Sequence, residues 1–421
     1  MTFAAVPLRR YVVNACDGPF GSAIATEHYA SEGARVIRLG NIGSAQWLDD
    51  DVVFLRVGYW QSLARHHAAA GDLVVAALGD DRNPVGRATV VPDLGPALVK
   101  ADCHRLRLDL GAADGRFIAY YLSSDQGRYE AGRMADGSTR KRLTLGKTVA
   151  LPVPDVDQEV QRAIADYLDR ATARIDALIA AKQRMAALLN DRASALATDV
   201  LLGPPVMGGS AGPGQVTLRP SWRFLPFRRL FREIDERSNT GEETLLSVSQ
   251  TRGVIPQSEL GDRQQFAETH VGYKLCRPGD LVVNRMWVYY GALGPALEPG
   301  MVSPDYAVFR PSAGMSARFA AYVLRTPAYV GEMTRLVRGI GAAFQGSVRK
   351  PRLHPNEMGL IEMPVPPIAE QREVLSRLDE QTRSMAHHAS LVQRSIALLQ
   401  ERRQALITAA VTGNLPIPVA A

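Results

Sequence analysis

The sequence predicts a mixed α/β protein in which two globular units are joined by two long helices, all within an internal repeat. The first observation is that the stretch Leu151–Gly203 returns as Met363–Gly413, with matched residues lying 210 positions apart from the Gln-Arg pair onward; the first copy has two extra residues before that pair. In both copies a Pro-x-Pro signal precedes a Gln-Arg pair, at Gln161 and at Gln371, and a glycine follows the last turn. Prolines before a helix and glycines after it mark its start and its end.

The second observation is the spacing of apolar residues within each copy, which is typical of a coiled-coil seam. In the first copy the seam runs through Ile164, Leu168, Ala171, Ile175, Leu178, Lys182, Met185, Leu189, Arg192 and Leu196. In the second copy one line holds Val374, Leu378, Met385, Val392, Leu399 and Leu406, and the other holds Gln381, His388, Ser395 and Arg402. A helix of about 40 residues spans roughly 60 Å, which is the length of a spacer, and two such helices can pair.

The third observation is that the globular units repeat each other in short segments. In residues 1–150, GDLVVAALG (71–79) predicts a buried strand and RFIAYYL (116–122) predicts a helix. In residues 220–362, PGDLVVNRM (278–286) and RFAAYVL (318–324) correspond to them. We therefore predict globular units at 1–150 and 220–362, spacer helices at 151–203 and 363–415, and a Gly/Pro linker at 204–219.

Charge and composition favour a protein that meets a polyanion. The formal net charge is +6 over 421 residues, and the excess lies in the globular units rather than in the helices. Of the 49 basic residues 43 are Arg, whose guanidinium suits phosphate and guanine, although a GC-rich genome would produce the same bias. A length of this order allows two or more domains, each with its own core.

No catalytic constellation is present in the sequence. It lacks a P-loop, a GxGxxG after a strand, HExxH, GxSxG and the Asn-Pro-Pro-aromatic signature, since Asn83-Pro84 is followed by valine. Its three cysteines, Cys16, Cys103 and Cys276, are scattered without metal-ligand spacing, so we expect no metal site and no disulfide framework. These absences favour a binding protein without a cofactor, working in a reducing cytoplasm and away from membranes.

Two basic loops and one aromatic segment are the candidate DNA contacts. The loops follow Gly-Ser pairs at the same place in each unit, where backbone amides and hydroxyls can hold a phosphate. The predicted DNA-binding residues are Ser138, Arg140, Lys141 and Arg142 in the first unit, and Arg285, Trp287, Ser347, Arg349, Lys350 and Arg352 in the second. A solvated surface would explain the loops equally well, and core packing would explain the aromatic residues.

Several of these segments together resemble the specificity subunit of a type I restriction-modification system. The resemblance covers nearly the whole chain and includes both Gln-Arg helix starts, GPFGSAIATEHYASEGARVIRLGNIG (18–43), LLSVSQTRGVIP (245–256), RPGDLVVNRM (277–286), GALG (291–294) and VSPDYAVFR (302–310). It implies that residues 1–150 and 220–362 are target recognition domains, each reading one half of a bipartite DNA site. It also implies that the two helices pair antiparallel about a pseudo-two-fold axis.

The resemblance further implies partners that carry the chemistry. Double-stranded DNA and two modification subunits would bind this chain, with a restriction and translocation subunit as a third component. S-adenosylmethionine would belong to the modification subunit, which methylates an extruded adenine, so this chain would itself hold no cofactor and no catalytic residue. A coiled-coil scaffold whose globular units bind proteins is the main alternative, and a self-contained methyltransferase or nuclease is a third.

Overall fold

A computed structural model describes residues 3–20, 23–138, 140–202, 222–250, 252–260, 269–339 and 352–418. Within it the chain divides into two units. The first, unit 1, comprises Met1–Arg184 and Val392–Ala421, and the second, unit 2, comprises Met185–Leu391. Each long helix therefore contributes to both units, because the first begins in unit 1 and ends in unit 2 while the second does the reverse.

Unit 1 contains thirteen short strands among its described residues. They are β1 Ala5–Pro7, β2 Val12–Asp17, β3 Tyr29–Ala30, β4 Ala34–Ile37, β5 Phe54–Leu55, β6 His67–Ala68, β7 Leu73–Ala76, β8 Leu78–Gly79, β9 Ala88–Val90, β10 Ala97–Val99, β11 Cys103–Leu108, β12 Lys141–Arg142 and β13 Pro152–Pro154. Its helices are α1 Val57–Ser62, α2 Gly115–Ser123, α3 Asp125–Met134, α4 Leu145–Val149 and the first part of α5 Gln158–Leu202.

The core of unit 1 forms where α2 packs on a four-stranded sheet of order β2-β11-β7-β9. Strand β7 is buried at every position, as the GDLVVAALG segment predicted. The predicted helix over RFIAYYL is α2, and its Phe117 and Ile118 are fully buried against Leu73 and Leu106 of the sheet. A second sheet of order β3-β5-β4-β10-β6 completes this unit.

Unit 2 repeats the central sheet with a different periphery. Its strands are β14 Arg223–Pro226, β15 Phe231–Ile234, β16 Leu246–Ser249, β17 Gly253–Pro256, β18 Lys274–Cys276, β19 Leu281–Asn284, β20 Leu293–Pro295, β21 Gly300–Val302, β22 Tyr306–Pro311 and β23 Glu362–Val365. Its helices are α6 Phe227–Leu230, α7 Ala317–Leu324, α8 Pro327–Gly339, α9 Pro355–Met358 and the first part of α10 Ile368–Val411. The four-stranded sheet has the order β15-β22-β19-β20, and α7 packs on it as α2 does in unit 1.

The two long helices begin later than the repeat boundaries suggested. Helix α5 has 45 residues and α10 has 44. The Pro-x-Pro segments ahead of them are the strands β13 and β23, which pair antiparallel with β1 and β14. A proline cannot donate to a helix, so each segment stays extended until the chain passes its second proline. Gly413 ends α10 in the left-handed region, at φ 76°.

Burial along the helices departs from the predicted seam. In α5, Ile164, Leu168 and Ile175 are buried as predicted, but Leu178 and Met185 are 52% and 51% exposed. The buried face of α5 packs against the globular part of unit 1, where Leu168 belongs to the same hydrophobic core as α2. Among the described side chains of α5, burial therefore follows the predicted line as far as Ile175 and departs from it at Leu178 and Met185.

The second helix shows the same departure. Val374, Leu378 and Val392 are buried as predicted, whereas His388 and Arg402 are exposed. Near its end α10 packs through Arg403 and Ile407, one residue further along than the predicted line, because this stretch faces the globular part of unit 1.

Candidate nucleic-acid interface

A buried glutamine joins each long helix to the globular unit beneath it. Gln161 lies at the start of α5 and is fully buried; its Oε1 accepts from the Asp114 amide at 3.0 Å, and its Nε2 donates to the Val156 carbonyl at 2.7 Å. Asp114 is the N-cap of α2, so one side chain ties the first turns of two helices together.

Unit 2 contains the same joint. Gln371 is fully buried, its Oε1 accepts from the Ser316 amide at 2.9 Å, and its Nε2 donates to the Gly314 and Pro366 carbonyls at 2.8 and 2.9 Å. Ser316 is the N-cap of α7. The Gln-Arg pair that the sequence repeats is thus a structural device that fixes the direction in which each helix leaves its unit.

An arginine on each head helix reinforces the joint. Arg116 of α2 donates to Asp166 at 2.8 Å and to Asp169 at 2.7 Å, both on α5. In unit 2, Arg318 of α7 forms an ion pair with Asp379 of α10. The side-chain hydrogen bonds that Arg116 donates, first of all to Asp114, raise its pKa well above the usual value.

The predicted basic loop of unit 1 is held as a short strand rather than as an open loop. Its backbone pairs β12 with β8, and Gly137 adopts φ +96° at a point where an added Cβ would lie 2.4 Å from the Arg140 carbonyl oxygen. Only glycine fits such a turn without strain. Gly137 therefore allows the close turn that precedes the β12 strand.

The three basic residues of this loop have different environments. Arg142 forms an ion pair with Asp102 and lies over the Phe20 ring at 5.6 Å, so it holds the loop in place. Arg140 and Lys141 are exposed, and neither side chain has a hydrogen-bond or ion-pair partner within the described ranges. Ser138 is exposed beside them. Arg140 and Lys141 can therefore bind an anion without giving up a partner, whereas Arg142 is half exposed and would exchange a weak surface pair for it.

The corresponding residues of unit 2 fall largely outside the described ranges. Ser347, Arg349 and Lys350 lie there, and their contacts remain predictions. Arg352 is described and pairs with Asp305 at 3.1 Å on the surface. Exposed pairs of this kind are weak, so Arg352 can exchange its partner for a phosphate.

The aromatic segment of unit 2 forms a short turn directly after β19. Trp287 is 38% exposed and Tyr290 is 59% exposed, with their ring centroids 5.6 Å apart. Arg285 is directed elsewhere: its Nε donates to the Leu353 carbonyl at 3.1 Å. Trp287 and Tyr290 thus lie together at the surface. Arg285 instead holds the segment that follows the second basic loop.

A cleft in unit 1 was not predicted from the sequence. It has a volume of about 300 Å³ and lies between the turn after β8, the segment 39–48 and the basic loop, with Arg140 among its lining residues. The sequence feature that could have indicated this cleft is the Asp80–Asn83 segment, which forms a turn. In that turn Asp80 Oδ1 accepts from the amides of Arg82 and Asn83 at 2.9 and 2.8 Å.

Neither a metal site nor a reactive thiol is found in the part of the chain that the structure describes. No three His, Cys, Asp or Glu side chains gather there at one point. Cys16, Cys103 and Cys276 are free and buried, and burial raises the pKa of each thiol, to about 12 for Cys103 and about 11 for Cys276. Among the same residues, no helix combines the length and the apolarity needed to cross a bilayer.

These observations define a class by fold. The chain has two mixed α/β units whose central four-stranded sheets have equivalent strand orders, and a buried glutamine attaches a long helix to each unit. A chain from a structure on complex assembly and conformational transition of the type I restriction-modification system is similar to it, with a TM-score of 0.67 and 17% identity over 98% of both chains. The resemblance stated from the sequence is confirmed at the level of the fold.

Two further structures are similar over most of their length. The HsdS subunit from Thermoanaerobacter tengcongensis has a TM-score of 0.47 and 16% identity, over 98% of this chain and 97% of that one. The type I S subunit from M. genitalium has a TM-score of 0.38 and 13% identity, over 99% and 97%. No family model matches the sequence, and no curated protein matches it.

Proposed function

We propose that this chain is the DNA specificity subunit of a type I restriction-modification complex, without catalytic residues of its own. The observation that carries the proposal is the full-length likeness in fold to a chain of such a system. Within that fold, each unit would serve as a target recognition domain for one half of a bipartite DNA site.

The ends of equivalent strands support two different recognition surfaces. In unit 1 the chain after β7 leads into β8 and the Asp80–Asn83 turn, beside the exposed Arg140 and Lys141. In unit 2 the chain after β19 leads into the exposed Trp287 and Tyr290. A shared sheet with different side chains at the same edge suits the reading of two different half-sites.

The helices would set the distance between the half-sites. Within unit 1, Arg403 of α10 pairs with Asp176 of α5 at 2.9 Å, so the two helices lie side by side there. We propose that they pair antiparallel as a coiled coil about a pseudo-two-fold axis and that two modification subunits dock around it. Two units facing one side of a duplex read half-sites roughly one helical turn apart.

In this proposal the partners supply the chemistry. The modification subunits would hold S-adenosylmethionine and methylate the DNA, and a restriction subunit would cleave it. Such a complex acts on chromosomal DNA, so a cytoplasmic location is part of the proposal.

The test is a footprint of the chain with its modification subunit on a randomised duplex library. We expect selection of one bipartite sequence with a fixed gap. If no sequence is enriched and the affinity for DNA depends only on the salt concentration, the coiled-coil scaffold would be favoured. If this chain methylates DNA without its partner, the self-contained enzyme would be favoured.

A further inference from the structure

The cleft in unit 1 has apolar walls and a polar rim built from three separate segments. Leu39, Ile42, Leu48 and Leu78 contribute to its walls, and Asp80, Asn83 and Arg140 lie on its rim. Gly79 fixes one side, because an added Cβ there would lie 2.2 Å from the Val85 amide nitrogen. A side chain at position 79 would therefore displace this side of the cleft.

A buried cation lies in this cleft. Arg87 is 6% exposed and donates to the carbonyls of Leu39, Ile42, Asn83 and Pro84 at 2.7 to 3.2 Å. Within the described ranges it has no carboxylate ion-pair partner, so its charge is not neutralised by direct contact. Burial lowers its pKa, yet an arginine keeps its proton at neutral pH. The cleft is thus suited to a group that carries hydrogen-bond acceptors.

The rim offers one donor group without a partner among the described residues and one carboxylate with remaining acceptor capacity. Arg140 has no side-chain partner in the described part of the chain, and it forms no ion pair with Asp80 although both line the same cleft. The Oδ1 atom of Asp80 accepts from the amides of its own turn, and the Asn83 side chain also interacts with the carboxylate. An ionised carboxylate has about four acceptor sites, so Asp80 can accept a further hydrogen bond. Backbone hydrogen bonds in that turn lower the pKa of Asp80, so the acceptor is a carboxylate at neutral pH.

In donor and acceptor type, these groups correspond to one edge of one base pair. In the major groove guanine presents two acceptors, N7 and O6, and its partner cytosine presents the N4 amino donor beside them. Arginine binds the first pair and a carboxylate accepts from the second. A phosphate would meet the two arginines but would leave the Asp80 carboxylate facing an anion, whereas the N4 amino group of cytosine offers that carboxylate a donor.

We infer that Arg140 and Asp80 read a single G·C pair in the half-site of unit 1, with Arg140 on guanine and Asp80 on cytosine. The inference rests on the proposed function, since it names the group of the DNA that this surface takes. It separates Arg140 from Lys141, which is not among the residues that line this cleft and which we assign to the phosphate backbone of the DNA.

Two substitutions test the inference with the full chain in complex with its modification subunit. Arg140→Ala removes the donor, and Asp80→Asn keeps an Oδ1 acceptor for the turn while replacing the carboxylate. The controls are Arg82→Ala and Asp81→Asn, which make the same charge changes at exposed neighbours outside the cleft. Binding is measured to the selected duplex and to duplexes substituted at each position in turn.

We expect both cleft variants to lose about 10- to 100-fold in discrimination at the same G·C pair of one half-site, with the controls unchanged. A uniform loss for all sequences with a smaller salt dependence would make Arg140 a phosphate contact and overturn the inference. Unchanged discrimination would overturn it as well. If the unsubstituted complex selects no bipartite sequence, the proposed function fails instead, so the two failures are distinguishable.

Discussion

Replacing the buried glutamine of unit 1 should loosen the attachment of α5 without altering any surface residue. Gln161→Met keeps the length of the side chain but removes hydrogen bonds to Asp114, Ala112 and Val156, of 3.0, 3.3 and 2.7 Å. A buried group left without its partner costs about 1–3 kcal/mol, and the two carbonyls lose less than the amide, so we expect a total of roughly 3 kcal/mol.

Hydrogen exchange followed by mass spectrometry measures this loss locally. A loss of that size raises the opening constant of α2 about 100-fold, because each 1.4 kcal/mol is a factor of ten. Peptides covering α7 report on unit 2 and should keep their protection. Gln371→Met should give the opposite pattern, with faster hydrogen exchange in α7 and unchanged exchange in α2.

Gln183→Met is the matched control, since Gln183 lies on the same helix and is exposed. It should leave the exchange of both head helices unchanged. Undiminished protection of α2 in Gln161→Met, or an equal loss in both units, would refute the argument that each glutamine holds its own unit to its own helix.

Three further predictions concern unit 1. Lys141→Ala should lower the slope of log affinity against log salt by about one, as the loss of a phosphate contact does. His104 is buried against Thr148, and burial lowers its pKa from 6.5 to about 4. As the pH falls, His104 takes up a proton in the unfolded chain before it does so in the folded chain, so thermal stability should fall between pH 6.5 and about 4. His104→Gln should make this decline shallower. Cys103 should resist a thiol reagent at pH 8 until the chain is unfolded, because its pKa is raised to about 12.

Each of these has its own control. Lys182→Ala removes the same charge from α5 and should leave the salt slope unchanged. An unchanged slope in Lys141→Ala would mean that Lys141 is a solvated surface residue without a phosphate contact. An identical pH profile in His104→Gln would mean that other groups govern the acid loss. Rapid labelling of Cys103 in the native chain would contradict its burial.

Short-range patterns predicted most of the fold. The GDLVV segments became β7 and β19, and the RFIAYYL and RFAAYVL segments became α2 and α7, because period and local residue type decide such elements. The two long helices followed from the repeat. The seam was predicted less well, since residues such as Leu178 and Arg402 depend on which face meets the globular unit, and a heptad pattern does not contain that information.

The site was harder to predict because it is assembled from distant segments. Arg140 was identified from its basic neighbours, but the cleft beside it brings together residues near positions 40, 80 and 140, and no local pattern links them. The role of Gln161 was also missed: the sequence showed a repeated Gln-Arg pair, and only the structure showed that the glutamine is buried. A second short repeat, PLRRY at 7–11 and PFRRL at 226–230, forms the equivalent turns that lead into β2 and β15.

Exchanging residues 220–362 for those of a related chain, followed by sequencing of methylated DNA from cells that express the hybrid with its modification subunit, tests the central claim most directly. The account predicts a methylated site in which one half and the gap are retained while the other half is replaced. A change in both halves, or a site identical to the original, would contradict the claim that each unit reads its own part of the DNA.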